Sequence, residues 1–195
     1  MTRRICILDG HPDTSGTHFV DAICDAYARG AQWAGHSVER INIGQLDYGF
    51  LRRADDFGAP PPEPVFSERE KIATADHVVI AYPLWLGTMP AALKSFLEIC
   101  ACDGFMLGEP EHEGGFPVGR MKGKSARLIV TMGMPGIAYK LLFGAHSLKA
   151  TEKGILRIAG FGPVRHSIFG MVEGLSDTAR ARILSSVEKL GERAL

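Results

Sequence analysis

From Gly10 to His18 the chain reads Gly-His-Pro-Asp-Thr-Ser-Gly-Thr-His, a run whose residue types suit the capture of an anion. It joins the apolar stretch Ile5–Leu8 to a helix predicted to begin at Thr17. A loop in that place meets the free N–H groups and the positive dipole end of the helix. Ser15 and Thr17 add hydroxyl donors, and His11 and His18 add imidazole N–H donors. Phosphate is the expected ligand. The run is not G-x-G-x-x-G, which argues against a dinucleotide turn of the Rossmann kind. Gly123-Lys124-Ser125 looks like the tail of a P-loop, but Val118 stands where the first glycine belongs and a strand follows instead of a helix.

A second loop, Pro83-Leu84-Trp85-Leu86-Gly87-Thr88, is too apolar for an ordinary surface turn. Trp85 either plugs the core against a neighbouring helix or waits for something flat and apolar to cover it. A third loop, Met132 to Ala138, carries Gly133, Pro135 and Gly136 and so offers backbone donors. If all three follow strands of one open sheet, they meet at the carboxyl edge where such sheets bind ligands. Phosphate at one end and a flat apolar ring at the other describe a flavin.

The elements that must position these loops alternate strand and helix. Ile5–Leu8, Val78–Ala81 and Ala126–Thr131 are short continuous apolar runs, the pattern of strands buried on both faces. Ser37–Ile43 and Gly162–Phe169 are read as the two remaining strands. Helices are predicted over Thr17–Ala34, from Ser67 with a capping-box-like start, from Met89 with Thr88 as N-cap, from about Tyr139 with a second reaching Ala159, and over Ser176–Leu195. Five strands each followed by a helix specify a doubly wound parallel α/β sheet in one domain, 1–195. The Pro/Gly-rich segments Gly44–Phe66 and Ala101–Lys122 carry no predicted element and are expected to wall a pocket or an interface.

Composition excludes several classes. Lys and Arg number 22, Asp and Glu also 22, so no basic field points to nucleic acid or to an anionic membrane. No apolar run is long enough for a spanning helix, and Met1–Arg4 leads into a strand instead of a signal peptide, so the expected protein is not an integral membrane protein. Cys6, Cys24, Cys100 and Cys102 give neither a disulfide framework nor a paired zinc motif, which fits a reduced cytoplasmic protein. Glu111-His112-Glu113 reads as a solvated charge patch, and no metal is expected.

Taken together, His11-Pro12 with Ser15 and Thr17, the run Tyr82-Pro83-Leu84-Trp85-Leu86-Gly87-Thr88-Met89-Pro90-Ala91-Ala92-Leu93-Lys94, and Thr131-Met132-Gly133-Met134-Pro135 followed by Tyr139 resemble the flavodoxin-like NAD(P)H:quinone oxidoreductase family. That group includes DT-diaphorase, the modulator-of-drug-activity proteins and the ancillary oxidoreductases of potassium-efflux systems. The resemblance covers nearly the whole chain, and the P-L-W-L-G-T-M-P-A-x-L-K run is its specific part. It implies a flavodoxin-like five-stranded sheet of order 2-1-3-4-5 and a homodimer with its sites at the interface. It also implies two-electron, ping-pong reduction of quinones or similar acceptors by NADPH or NADH through FMN, with FAD as the alternative. By resemblance, His11, Ser15, Gly16, Thr17 and His18 hold the flavin phosphate, and Pro83, Leu84, Trp85 and Leu86 line the ribityl chain and one ring edge. Thr131, Met132, Gly133 and Met134 offer N–H groups to the pyrimidine edge. Tyr139 matches a tyrosine that acts in some members with a histidine six residues on; here the sixth residue is Ala145, and His146 stands one place later. Two readings from other classes are a flavodoxin-type electron carrier, which needs an acidic face, and a regulatory flavoprotein subunit of a membrane transporter.

Overall fold

The computed structural model describes residues 2–112 and 114–195. Along the chain run β1 (Arg4–Asp9), α1 (Phe19–Trp33), β2 (Ser37–Asn42), α2 (Val65–Thr74), β3 (His77–Pro83), α3 (Ala91–Cys100), β4 (Leu107–Gly108) and β5 (Val118–Gly119). There follow β6 (Ser125–Thr131), α4 (Gly136–Leu141), α5 (His146–Lys149), a π-helical stretch Ala150–Arg157, β7 (Val164–Phe169) and α6 (Asp177–Glu192). The main sheet is all parallel in the order β2-β1-β3-β6-β7, which is 2-1-3-4-5 when its own strands are counted. The expected flavodoxin-like topology is therefore present.

Strand periodicity sorts the core into two layers. Ile5, Ile7, Val79, Ala81 and Ile129 face α1 and α6, while Cys6, Leu8, Val78, Ile80, Leu128 and Val130 face α2 and α3. Both faces are covered, so these strands have no polar side to show, which is why they read as unbroken apolar runs. On the first face α1 and α6 approach backbone to backbone. A Cβ on Gly30 would fall 1.9 Å from the Glu188 carbonyl oxygen, and one on Gly191 would fall 2.1 Å from that of Tyr27. Glycine is required at both places by close approach.

Several element boundaries differ from expectation. Helix α2 begins at Val65, with Pro64 at its N-cap, and not at Ser67. Ser67 sits inside the first turn and its hydroxyl donates back to Glu63, 2.8 Å away. Helix α3 begins at Ala91 with Pro90 as N-cap, because Thr88 is occupied in a turn described below. Helix α4 begins at Gly136, three residues ahead of Tyr139. The two long segments also hold short regular pieces. Ile43–Gln45 and Ala54–Gly58 are 3-10 turns, and Leu107 pairs with Gly119 in a two-stranded antiparallel ribbon.

Candidate functional site

The strands β3 and β6 end level, Pro83 opposite Thr131, and β1 ends two residues short of them, with Asp9 opposite Ala81. Their loops leave from one edge. Gly10 turns the chain out of β1 with its N–H on the Ala81 carbonyl at 2.7 Å. A Cβ there would lie within 2.9 Å of Leu93, Tyr82 and that same carbonyl, so the loop can start here only with glycine. Gly44 supports it from beneath, where a Cβ would meet the His11 and Pro12 carbonyl oxygens at 2.9 and 2.8 Å.

Within the loop the two predicted histidines meet. His11 and His18 stack with ring centroids 3.7 Å apart and planes 11° from parallel. The edge of His11 then meets Trp85 at 5.8 Å, joining the first loop to the second. Helix α1 starts at Phe19 with His18 at its N-cap, and the His18 N–H donates to Asp21 at 2.7 Å. Ser15, Gly16 and Thr17 lie exposed between them. One residue that sequence reasoning left without a role intervenes. The Asp13 carboxylate accepts the Ser15 N–H at 2.8 Å and lies 3.3 Å from His18 Nε2. Ser15 beside it holds the Asp13 carboxyl below the usual range. Asp13 thus occupies with its own charge part of the donor set expected to meet a phosphate. A cation also stands close: the Arg180 guanidinium of α6 packs over the Phe19 ring at 5.3 Å. No sequence signal linked α6 to this loop, because the two are brought together only by helix packing.

Beside the loop lies a polar cleft of about 260 Å³ lined by Asp9, His11, Asp13, Arg40 and Asn42 among others. Arg40 bridges the buried Asp9 and the exposed Asp25. Burial lifts the Asp9 carboxyl above its ordinary range, and the guanidinium against it opposes that rise.

The second loop is a tight turn. The Leu84 N–H extends the sheet to the Thr131 carbonyl at 2.7 Å, and Trp85 and Thr88 then exchange N–H···O bonds of 2.8 and 2.9 Å. Leu86 and Gly87 span the turn at φ 46° and 81°, a left-handed pair. Leu86 is fully exposed and Trp85 is 46% exposed, so the tryptophan is not a core plug.

In the third loop the four predicted donors separate. Thr131 is buried at the end of β6, and the Met132 N–H is taken by the Phe169 carbonyl at 2.9 Å. Neither offers its amide to a ligand, because Thr131 lies in the β3–β6 ladder and Met132 is held by β7. The amides of Gly133 and Met134 find no protein partner among the described residues. The Glu173 carboxylate reaches the same spot, 3.4 Å from where a Cβ on Gly133 would stand.

Tyr139 departs from expectation. Starting α4 at Gly136 turns this residue onto the buried face, where its ring joins the core and is 1% exposed. Its hydroxyl lies 2.7 Å from Ser147 Oγ and accepts the Leu148 N–H at 3.2 Å. His146 is exposed at the start of α5, its ring against Gly144. The tyrosine's side-chain partner is therefore Ser147. Among the described residues no group of three His, Cys, Asp or Glu is placed to hold a metal ion, and Glu113 lies outside them.

A doubly wound parallel sheet with a histidine-bearing loop after its first strand and an aromatic turn after its third is an α/β protein of the open-sheet class. The chain belongs to the flavodoxin-like fold family, whose model matches residues 3–193. It is 30% identical over 124 residues to an uncharacterised NAD(P)H oxidoreductase of Haemophilus influenzae, a stretch covering 63% of this chain and 60% of that one. It is 32% identical over 66 residues to the FMN-dependent NADH:quinone oxidoreductase of Ruegeria pomeroyi, covering 33% of this chain and 31% of the other. The matched stretches thus span less than two thirds of either relative's length. Among solved structures, the NAD(P)H:quinone oxidoreductase of Methanothermobacter marburgensis superposes over 100% of both chains with a TM-score of 0.84 at 22% identity, a likeness of fold.

Proposed function

We propose that this chain is a flavin-dependent NAD(P)H oxidoreductase that carries out two-electron reduction of quinones or similar small acceptors, with FMN as its cofactor. The carrying observation is the convergence of three differently built loops on one sheet edge. The first presents His11, His18 and the open helix end, the second presents Trp85, and the third presents the unengaged amides of Gly133 and Met134. A phosphate, a flat ring and a polar ring edge fit these in turn, and relatives carrying the names above support the reading. When bound, FMN supplies the acceptor and donor of hydride between nicotinamide and quinone.

The chain's own residues bind and orient. His11, Ser15, Thr17 and His18 hold the phosphate, with the α1 dipole behind them and Arg180 as the nearby cation. Trp85 and Leu84 cover the ring and keep water from one side. The Gly133 and Met134 amides donate to the ring edge where negative charge develops, a preorganised arrangement because backbone cannot turn away. A pure electron carrier is less favoured, since the formal net charge is 0 and no acidic field is available for protein partners.

A homodimer working in the cytoplasm completes the proposal. Leu86, Ile137, Leu141, Leu142 and Phe143 are large apolar side chains left exposed beside the site, more than a lone subunit usually shows to water. Absorption spectroscopy and mass determination of the copurifying cofactor test the reading, together with rapid-mixing reduction by NADPH and NADH. The expected result is a yellow protein bleached by one of them. A colourless protein that refuses added FMN and FAD would refute it. Replacing Ser15 and Thr17 by Ala is expected to shed most of the cofactor on dilution, about 1.5–3 kcal/mol being lost per hydrogen bond to a charged group. Sedimentation at micromolar concentration tests the dimer.

A further inference from the structure

The Asp13 carboxylate stands inside the donor set that the first loop offers to a phosphate. One of its oxygens accepts the Ser15 N–H at 2.8 Å, and the other lies 3.3 Å from His18 Nε2. An oxyanion that takes a hydrogen bond from either donor therefore lies against this carboxylate. Hydrogen bonding with Ser15 holds the Asp13 carboxyl below the usual range, so it is ionised at neutral pH. Two bare anions in contact repel. An anion that carries a proton donates it to the carboxylate and turns the same contact into a charge-assisted hydrogen bond.

The charged groups around the loop do not offset Asp13. On the loop itself, His11 and His18 stack at 3.7 Å, a spacing at which a charge on both rings is opposed by their repulsion. The His11 N–H is taken by Asp9 of β1 at 3.2 Å, and the His18 N–H by Asp21 of α1 at 2.7 Å. Arg40 of β2 is committed to Asp9 and to Asp25 of α1. Arg180 of α6 packs over Phe19, and its guanidinium donates to the Leu175 and Val172 carbonyls at 3.4 and 2.9 Å. Both arginines are thus engaged, and carboxylates outnumber them at the loop. A phosphate arriving as a dianion meets a rim of its own sign. One arriving as a protonated monoanion brings the donor that Asp13 can use.

We propose that Asp13 makes the first loop selective for a phosphate monoester in its singly protonated form, against oxyanions that have no proton to give. The ester's identity as FMN rests on the function proposed above. On that reading FMN is taken up as its monoanion and preferred to FAD, whose pyrophosphate carries no proton near neutral pH.

The test dilutes the protein as isolated at pH 6, 7 and 8 and reads released FMN by its fluorescence, beside Asp13→Asn, which keeps the shape and puts an amide donor where the carboxylate was. With a second pKa of about 6, a phosphate monoester is about half monoanion at pH 6 and about 1% at pH 8. Wild-type affinity for FMN is therefore expected to fall about fiftyfold more over this range than that of Asp13→Asn. The same pair is measured in a His18→Gln background, which removes the imidazole nearest the carboxylate. The difference between aspartate and asparagine should persist there. Its disappearance would assign the proton to His18 and overturn the proposal, and so would equal pH dependence of wild type and Asp13→Asn, which would leave the flavin reading standing. Should the protein take up neither FMN nor FAD, that reading falls, and the comparison is made at pH 6 with inorganic phosphate and sulfate at equal ionic strength, reading the thermal midpoint. Phosphate keeps a proton at that pH and is expected to stabilise the wild type more than sulfate does, with Asp13→Asn treating the two alike. Equal treatment of the two anions by the wild type would then overturn the selection as well.

Discussion

Acid should unfold this protein partly through one histidine far from the site. His77 opens β3 and is fully buried, paired across the sheet with Ile5 and Ser125. Its Nδ1 lies 2.7 Å from the Ser125 hydroxyl, its Nε2 has no partner among the described residues, and the Tyr27 ring stacks 6.2 Å away. Burial, with Arg127, Arg3 and Arg165 nearby, pulls its pKa from 6.5 down to about 3. The imidazole is therefore neutral in the fold and protonates readily only when unfolded. The stability it confers is complete above pH 6.5 and is lost as pH falls through 6.5 toward 3. The linkage gives a loss of about 0.8 kcal/mol by pH 6 and about 2 kcal/mol by pH 5, relative to pH 7.5. His77→Asn keeps a polar atom near Ser125 and cannot titrate. Urea unfolding of both proteins at pH 7.5, 6 and 5 isolates the contribution, since every other group titrates alike in the two. The wild type should lose about 2 kcal/mol more than the variant over this range. Parallel stability curves would mean that His77 is solvated or protonated in the fold, and the reasoning would fail.

Removing the Asp13 charge with Asp13→Asn should tighten FMN binding several-fold, because a carboxylate now competes for the Ser15 amide; fluorescence titration of the apoprotein reads this, and weaker binding would show that Asp13 organises the loop. Tyr82→Phe should stabilise the protein by about 1 kcal/mol. The Tyr82 hydroxyl is buried with no hydrogen bond among the described residues, and burial pushes it up to about 12 although Thr151 sits near enough to oppose that rise. Tyr139→Phe should do the reverse and cost about 1–3 kcal/mol, since it orphans the buried Leu148 N–H; urea midpoints compare the two substitutions directly. Leu86→Gly should raise stability by up to about 1 kcal/mol, by relieving a left-handed backbone on a side chain that buries nothing, and an unchanged midpoint would argue against strain there.

The strands were legible because burial on both faces leaves a mark that needs no partner to interpret: Val78–Ala81 and Ala126–Thr131 could hardly be anything else. The loops could be placed from them, and so could the stacking partners His11, His18 and Trp85. Helix starts were harder. Thr88 has the chemistry of an N-cap, yet its amide and carbonyl close the Trp85 turn, a commitment made by Leu86 and Gly87 taking left-handed angles. Helix α4 starts ahead of its expected place, at Gly136, and Tyr139 falls on its buried face. Hydrogen bonds across the sheet were out of reach as well. Nothing local to Met132 says that Phe169 will use its amide, so two of the four expected donors were already spent. The ribbon between Leu107 and Gly119 is two residues long and leaves no periodicity to read. Asp13 and Arg180 act through where the fold puts their charges, which residue type alone does not disclose.

The glycine contact between α1 and α6 makes the first loop sensitive to events well away from it. Gly30 lies twelve residues beyond His18 on one rigid helix, about 18 Å along its axis. A methyl group at Gly30 has nowhere to go, since it would face main chain and not a yielding side chain. The helix would have to tilt, and its far end carries the dipole, His18 and the Asp21 anchor. A substitution at Gly30 or Gly191 would then show up as a change in anion affinity, and a screen for cofactor loss would return residues that no ligand ever touches. The helix works as a lever whose fulcrum is a contact without side chains.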